Sequence, residues 1–117
     1  MNNKETINMI ELSFKTLNMC MQAIRESVET IEEFEKGKRN IKGMEGQMEK
    51  LMLCIVNTSD QFVRNWNSLD SSVAAMYLIN ELNGNELSKY ARKLSELKAE
   101  YDCFKDDRSE SLRKLIA

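Results

Sequence analysis

Proline and histidine are both absent from this sequence, and each absence excludes something. Without proline, no residue lacks a backbone donor or blocks a helix by its ring. Without histidine, the commonest general base and the commonest neutral metal ligand are gone. Glycine is scarce, with four residues, and three of them fall within "KGKRNIKGMEG". The three cysteines, Cys20, Cys54 and Cys103, are far apart and form no C-x-x-C pair. That spacing argues against a zinc site and a disulfide framework, and it leaves no imidazole beside a thiol for nucleophilic work. Reduced thiols in a cytoplasmic protein are the natural reading.

Long apolar runs are missing too. The longest, "LMLCIV" and "VAAMYLI", fall far short of the roughly 20 residues of a spanning helix. The start, "MNNKETINMI", shows no apolar run behind a basic stretch, so no signal peptide is visible. Aromatics make up 7% of the 117 residues, and the net charge is −2. Neither global attraction to nucleic acid nor docking on an anionic membrane follows from that balance. No residues assemble a recognisable catalytic site. The expectation is a non-enzymatic chain with no cofactor, no metal and no small-molecule substrate.

What is present is helical periodicity. Ile7, Ile10, Phe14, Leu17, Met21, Ile24, Val28 and Ile31 recur at 3-4-3-4-3-4-3 spacing, an unbroken heptad seam. This predicts a helix to about Lys36, with Asn2 and Glu5 as its N-terminal capping pair. A second seam runs through Met44, Met48, Leu51, Ile55, Thr58, Phe62, Leu69, Val73 and Met76. It is less clean, because "NTSDQ" and "NWNSLDSS" are rich in side chains that compete for their own backbone. Residues 44–82 therefore form one long bent helix or two shorter ones, and the polar clusters favour the split. The third seam is Leu87, Tyr90, Leu94, Leu97, Tyr101 and Phe104. Asn83 with Glu86 is its predicted cap, and Gly84 marks the break before it. The amphipathic "SLRKLIA" follows. Short connections make neighbouring helices antiparallel. The expected fold is all-α, an elongated antiparallel bundle of three or four helices with coiled-coil-like heptad packing, in a single domain over residues 1–117.

Charge is unevenly spread. Between Lys50 and Glu81 the only charged residues are Asp60, Arg64 and Asp70. In that window "LMLCIV" and "VAAMYLI" are apolar on every helical face, whereas a surface helix needs one stripe. A thin bundle covers a helix poorly on all sides, so burial by neighbours and burial by a partner weigh about evenly. Met52, Leu53, Val56 and Trp66 are the first partner-binding candidates. Methionine suits adaptable surfaces as well as cores, and Met9, Met19 and Met52 lie off the seams. Trp66 could anchor a partner or plug the core. It is no W-x-G secretion-substrate hairpin, since Ser68 stands where glycine should be. A short stretch around it resembles small helical subunits of the fungal DASH kinetochore ring, with too few residues to assign a family.

Lys36, Lys38, Arg39 and Lys42 form the alternative site. Such a loop could release counterions from a phosphate backbone. No aromatics interleave for stacking, however, and the acidic Glu29, Glu32, Glu33 and Glu35 precede it. Neither "GKRNIKG" as a P-loop nor "GMEG" as a KH loop has the required context. A turn whose lysines compensate a helix C-terminus accounts for the segment. The favoured function is a helical protein–protein interaction module, such as an assembly subunit, adaptor or small chaperone, whose partner is another protein or a second copy of itself. A small nucleic-acid-binding regulator using residues 36–42 is the alternative.

Overall fold

The computed structural model describes residues 3–35 and 45–106. They form three helices: α1, Asn3–Glu35; α2, Glu45–Leu78; and α3, Gly84–Asp106. The bundle is elongated, with extents of 57 × 22 × 19 Å. That length matches α1 and α2, each about 50 Å at 1.5 Å per residue. Tyr90 and Glu100 on α3 reach Glu11 and Arg25 on α1, so these two helices advance in the same direction. Helix α2 runs against both. Phe62 stacks on Tyr101, with centroids 4.8 Å apart, and Phe14 stacks on Tyr90 at 5.7 Å.

The α1 seam is the spine of the core. Ile10, Phe14, Leu17, Met21, Ile24, Val28 and Ile31 are all buried, and Ile7 packs at the edge. The third seam behaves likewise: Tyr90, Leu94, Leu97 and Phe104 are buried, while Leu87 and Tyr101 are half-buried against them. Fully burying one such side chain stabilises by about 1.5–3 kcal/mol, so these stripes fix which face of each helix turns inward.

Helix α2 departs from the sequence reading in two ways. It is one continuous helix through the polar clusters. Asn57, Asp60, Asn65, Asn67, Ser68 and Asp70 are exposed, and Asp60 pairs with Arg64 at 3.0 Å, so these side chains have outlets other than the helix ladder. The seam also passes through different residues. Ser59, buried, occupies the place assigned to Thr58, and Trp66 fills the apparent gap between Phe62 and Leu69. From Ile55 the inward positions are then 55, 59, 62, 66, 69, 73 and 76, a regular heptad alternation.

The turn between α2 and α3 is also placed differently. Asn80, at φ 63°, takes the left-handed conformation, and not Gly84. The Glu81 N–H donates to Met76 O at 2.8 Å, and the Asn80 N–H to Tyr77 O at 3.1 Å. This pairing is a Schellman cap, with asparagine standing where glycine is commonest. Asn83 then caps α3 as expected. Its Oδ1 accepts from the Glu86 N–H at 2.8 Å, and its own N–H donates to Glu86 Oε1 at 2.9 Å. Gly84 is the first residue of α3. The turn is tied to α1 by Asn3, whose side-chain amide donates to Glu81 O at 2.6 Å. Asn2, Met44 and the segment "SLRKLIA" lie outside the described residues.

Candidate functional site

The four candidate partner-binding residues do not share one face. Leu53 is 59% exposed, and Val56, one turn on, is half-buried beside it. These two look outward. Met52 leans against the core cluster, so its thioether fills space between helices. Trp66 faces α3. Its indole N–H donates to Leu94 O at 2.7 Å, and the Lys98 ammonium lies 4.9 Å from the ring centroid. Ring and N–H together clamp α2 to α3, and the outer edge of the ring lines a shallow groove with Val63, Asn67 and Asp102. Lys36, Lys38, Arg39 and Lys42 lie outside the described residues.

Other apolar side chains join Leu53 on the outside of α2. Val63 is exposed, and so are Tyr77, Leu78 (77%) and Ile79 (63%) at the helix end. The hydrogen-bonded turn after Leu78 holds that end in place, so these side chains are presented on a fixed backbone. The signal was in the sequence: "VAAMYLI" has too many apolar residues for one stripe. Its inward members are Val73 and Met76, and the surplus stays outside. On α1, Met9, Leu12 (65%) and Met19 (65%) are exposed opposite the core. Leu12 belongs to no core seam, so the periodicity that marks the core carries no signal for it.

Charged side chains concentrate along α1 and α3. Glu11 accepts from the Tyr90 hydroxyl at 3.3 Å, and Lys89 and Lys93 approach it at 3.8 Å each. Burial of Tyr90, followed by the negative charge of Glu11 and its hydrogen bond, pushes the phenol up to about 12. Arg25 pairs with Glu100 further along. Between them lies an open groove of about 640 Å³, floored by Phe14 and Leu97 and walled by charges of both signs. Cys20 is buried, and burial raises its thiol pKa, which suppresses the reactive thiolate. Cys54 and Cys103 are exposed and unpaired. Among the described residues no group of acidic or sulfur side chains is gathered to hold a metal ion. None of their helices is long and apolar enough to cross a membrane.

Fold and surface together define an elongated all-helical bundle whose helices carry apolar residues outside as well as inside. No family model matches the chain, and no match was found among curated proteins or solved structures.

Proposed function

We propose that this chain is a non-enzymatic protein–protein interaction module, an assembly subunit, adaptor or small chaperone, that docks a partner protein on the outward side of α2. The observation that carries the reading is the exposure of Leu53, Val63, Tyr77, Leu78 and Ile79 in a stretch where only Asp60, Arg64 and Asp70 are charged between Lys50 and Glu81. Charge depletion with large apolar side chains is the compositional mark of an interface core. Leu53 and Val56 remain the first contact residues. Trp66 contributes from behind, by holding the α2 backbone against α3.

The test is a pull-down with mass spectrometry on the wild type and a Leu53→Glu/Val56→Glu variant. Both positions have access to water, so the variant keeps its helical circular dichroism. Loss of a specific captured protein in the variant supports docking on α2. Identical capture by both proteins, or no capture with no binding of a hydrophobic dye, overturns it.

A further inference from the structure

Helix α3 is shorter than the pair it packs on. Asn3 of α1 donates to Glu81 O at 2.6 Å, just before α3, so α1 and α3 set out from the same end. At 1.5 Å per residue the 33 residues of α1 span about 50 Å and the 23 residues of α3 about 35 Å. About 15 Å of the α1–α2 pair therefore continues past Asp106 without α3 beside it. That end is apolar. Met48, Leu51 and Met52 of α2 are half-buried there against the core cluster, and Ile31 of α1 is fully buried. The opposite end of the pair is different. Its groove, of about 220 Å³, is lined largely by the hydroxyl and amide side chains of Thr6, Ser13, Thr16, Asn65, Ser68 and Ser72, and by no charged one.

Two contacts fix the register of α2 and α3. Tyr101 stacks on Phe62 at 4.8 Å, and the Lys98 ammonium lies 4.9 Å from the Trp66 ring. The helices are antiparallel, so each heptad forward along α3 corresponds to a heptad back along α2. One heptad on, the paired positions are 105 with 59 and 108 with 55, where Lys105 and Arg108 interrupt the apolar seam. Two heptads on, they are Leu112 with Met52 and Leu115 with Met48. Both pairs are apolar, and both α2 members are half-buried. Charge fits as well. Lys114 comes two heptads after Glu100, which pairs with Arg25 of α1. The end of α1 that it approaches holds Glu32, Glu33 and Glu35, with no basic residue in the last turn, where a cation is favoured.

We propose that residues 107–117 of this chain occupy that end, carrying the α3 seam onward so that Leu112 closes on Met52 and Leu115 on Met48. In helix they cover about 16 Å, the length of the α1–α2 pair left past Asp106. Arg108 crosses Ile55 with its apolar stem and keeps its guanidinium in water. Tethering favours this occupant over a second copy or a foreign protein, because the segment is joined to α3 and its docking is intramolecular. The contact takes Met52 out of the α2 docking surface and leaves Leu53 and Val56 to a partner.

The test combines hydrogen exchange on the full chain with a double-mutant cycle. In the wild type the amides of residues 112–116 are expected to exchange at least about tenfold more slowly than in an unstructured peptide, independently of protein concentration. Leu112→Glu/Leu115→Glu is expected to abolish that protection. Met48→Ala and Leu115→Ala are each expected to lower the urea midpoint by about 0.5 M, and the double variant by clearly less than the sum, because both remove the same contact. Leu53→Ala with Leu115→Ala is the control and is expected to be additive, since Leu53 is 59% exposed on the outward side of α2. Exchange of residues 112–116 at the unstructured rate overturns the proposal. So do additive effects of Met48→Ala and Leu115→Ala, or protection that survives Leu112→Glu/Leu115→Glu. Protection that appears only as protein concentration rises assigns the end to a second copy, and protection that appears only with a captured protein assigns it to that protein; either result also overturns the proposal.

Discussion

Ser59 offers the sharpest test of the packing, because it predicts a gain in stability. Its side chain is 5% exposed, sits on the inward seam of α2 between Ile55 and Phe62, and its hydroxyl has no hydrogen-bond partner. A buried hydroxyl left unsatisfied costs about 1–3 kcal/mol. Ser59→Ala removes that cost and loses only the contacts of one oxygen atom. Alanine also favours helix over serine by about half a kcal/mol. The expected net gain is about 1–2 kcal/mol. Exposed Ser71, on the same helix, supplies the control: Ser71→Ala gains the helix propensity and nothing more. The assay is urea unfolding followed by far-UV circular dichroism. With a slope of about 2 kcal/mol per molar, the Ser59→Ala midpoint should rise by about 0.5–1 M. A gain no larger than that of Ser71→Ala would refute the placement of Ser59 in the core. A lower midpoint would mean that the hydroxyl makes a bond worth keeping.

Trp66→Phe keeps a ring under Lys98 but leaves Leu94 O without the indole donor, so about 1 kcal/mol of stability should be lost. Trp66→Ala, which empties a half-buried site, should cost about 2–4 kcal/mol in the same urea assay, and a loss below 1 would show that the clamp between α2 and α3 is not closed. Tyr90 predicts an alkaline weakness. Its phenol is held neutral, up to about 12, against about 10 in an unfolded chain. The folded state therefore binds the proton more tightly. That contribution is complete below pH 10 and is lost as pH rises from 10 through 12, by about 1–3 kcal/mol. Urea midpoints measured from pH 8 to 11.5 should fall more steeply for the wild type than for Tyr90→Phe, which lacks the phenol. Parallel curves would place the Tyr90 hydroxyl in water.

Periodicity alone was sufficient for α1 and α3. Each has apolar residues at unbroken 3-4 spacing, and only one side of a helix gathers them, so Phe14, Met21, Ile24, Tyr90 and Leu94 were legible as core. The Asn83–Glu86 cap was legible for the same kind of reason, since both of its bonds close within four residues. Chain-local rules failed on α2. Serine at 59 and tryptophan at 66 do not look like seam residues, and what puts them inward is the space offered by α1 and α3. The polar clusters suggested a break because their competition with the backbone is local, whereas the packing that keeps the helix whole comes from its neighbours.

The surface divides in the same way. Composition showed that the middle of the chain has more apolar side chains than one stripe needs. It did not show that Met52 and Trp66 would be engaged internally while Leu53, Leu78 and Ile79 stay outside. Nor did it show that the α1–α2 groove would be free of charge, because that depends on Glu11, Lys15 and Arg25 all turning toward α3. Sequence by itself determined α1, α3 and their inward stripes, since those depend on spacing along one chain. Only the tertiary structure decided which apolar residues are left for a partner, since exposure depends on what residues distant in sequence cover.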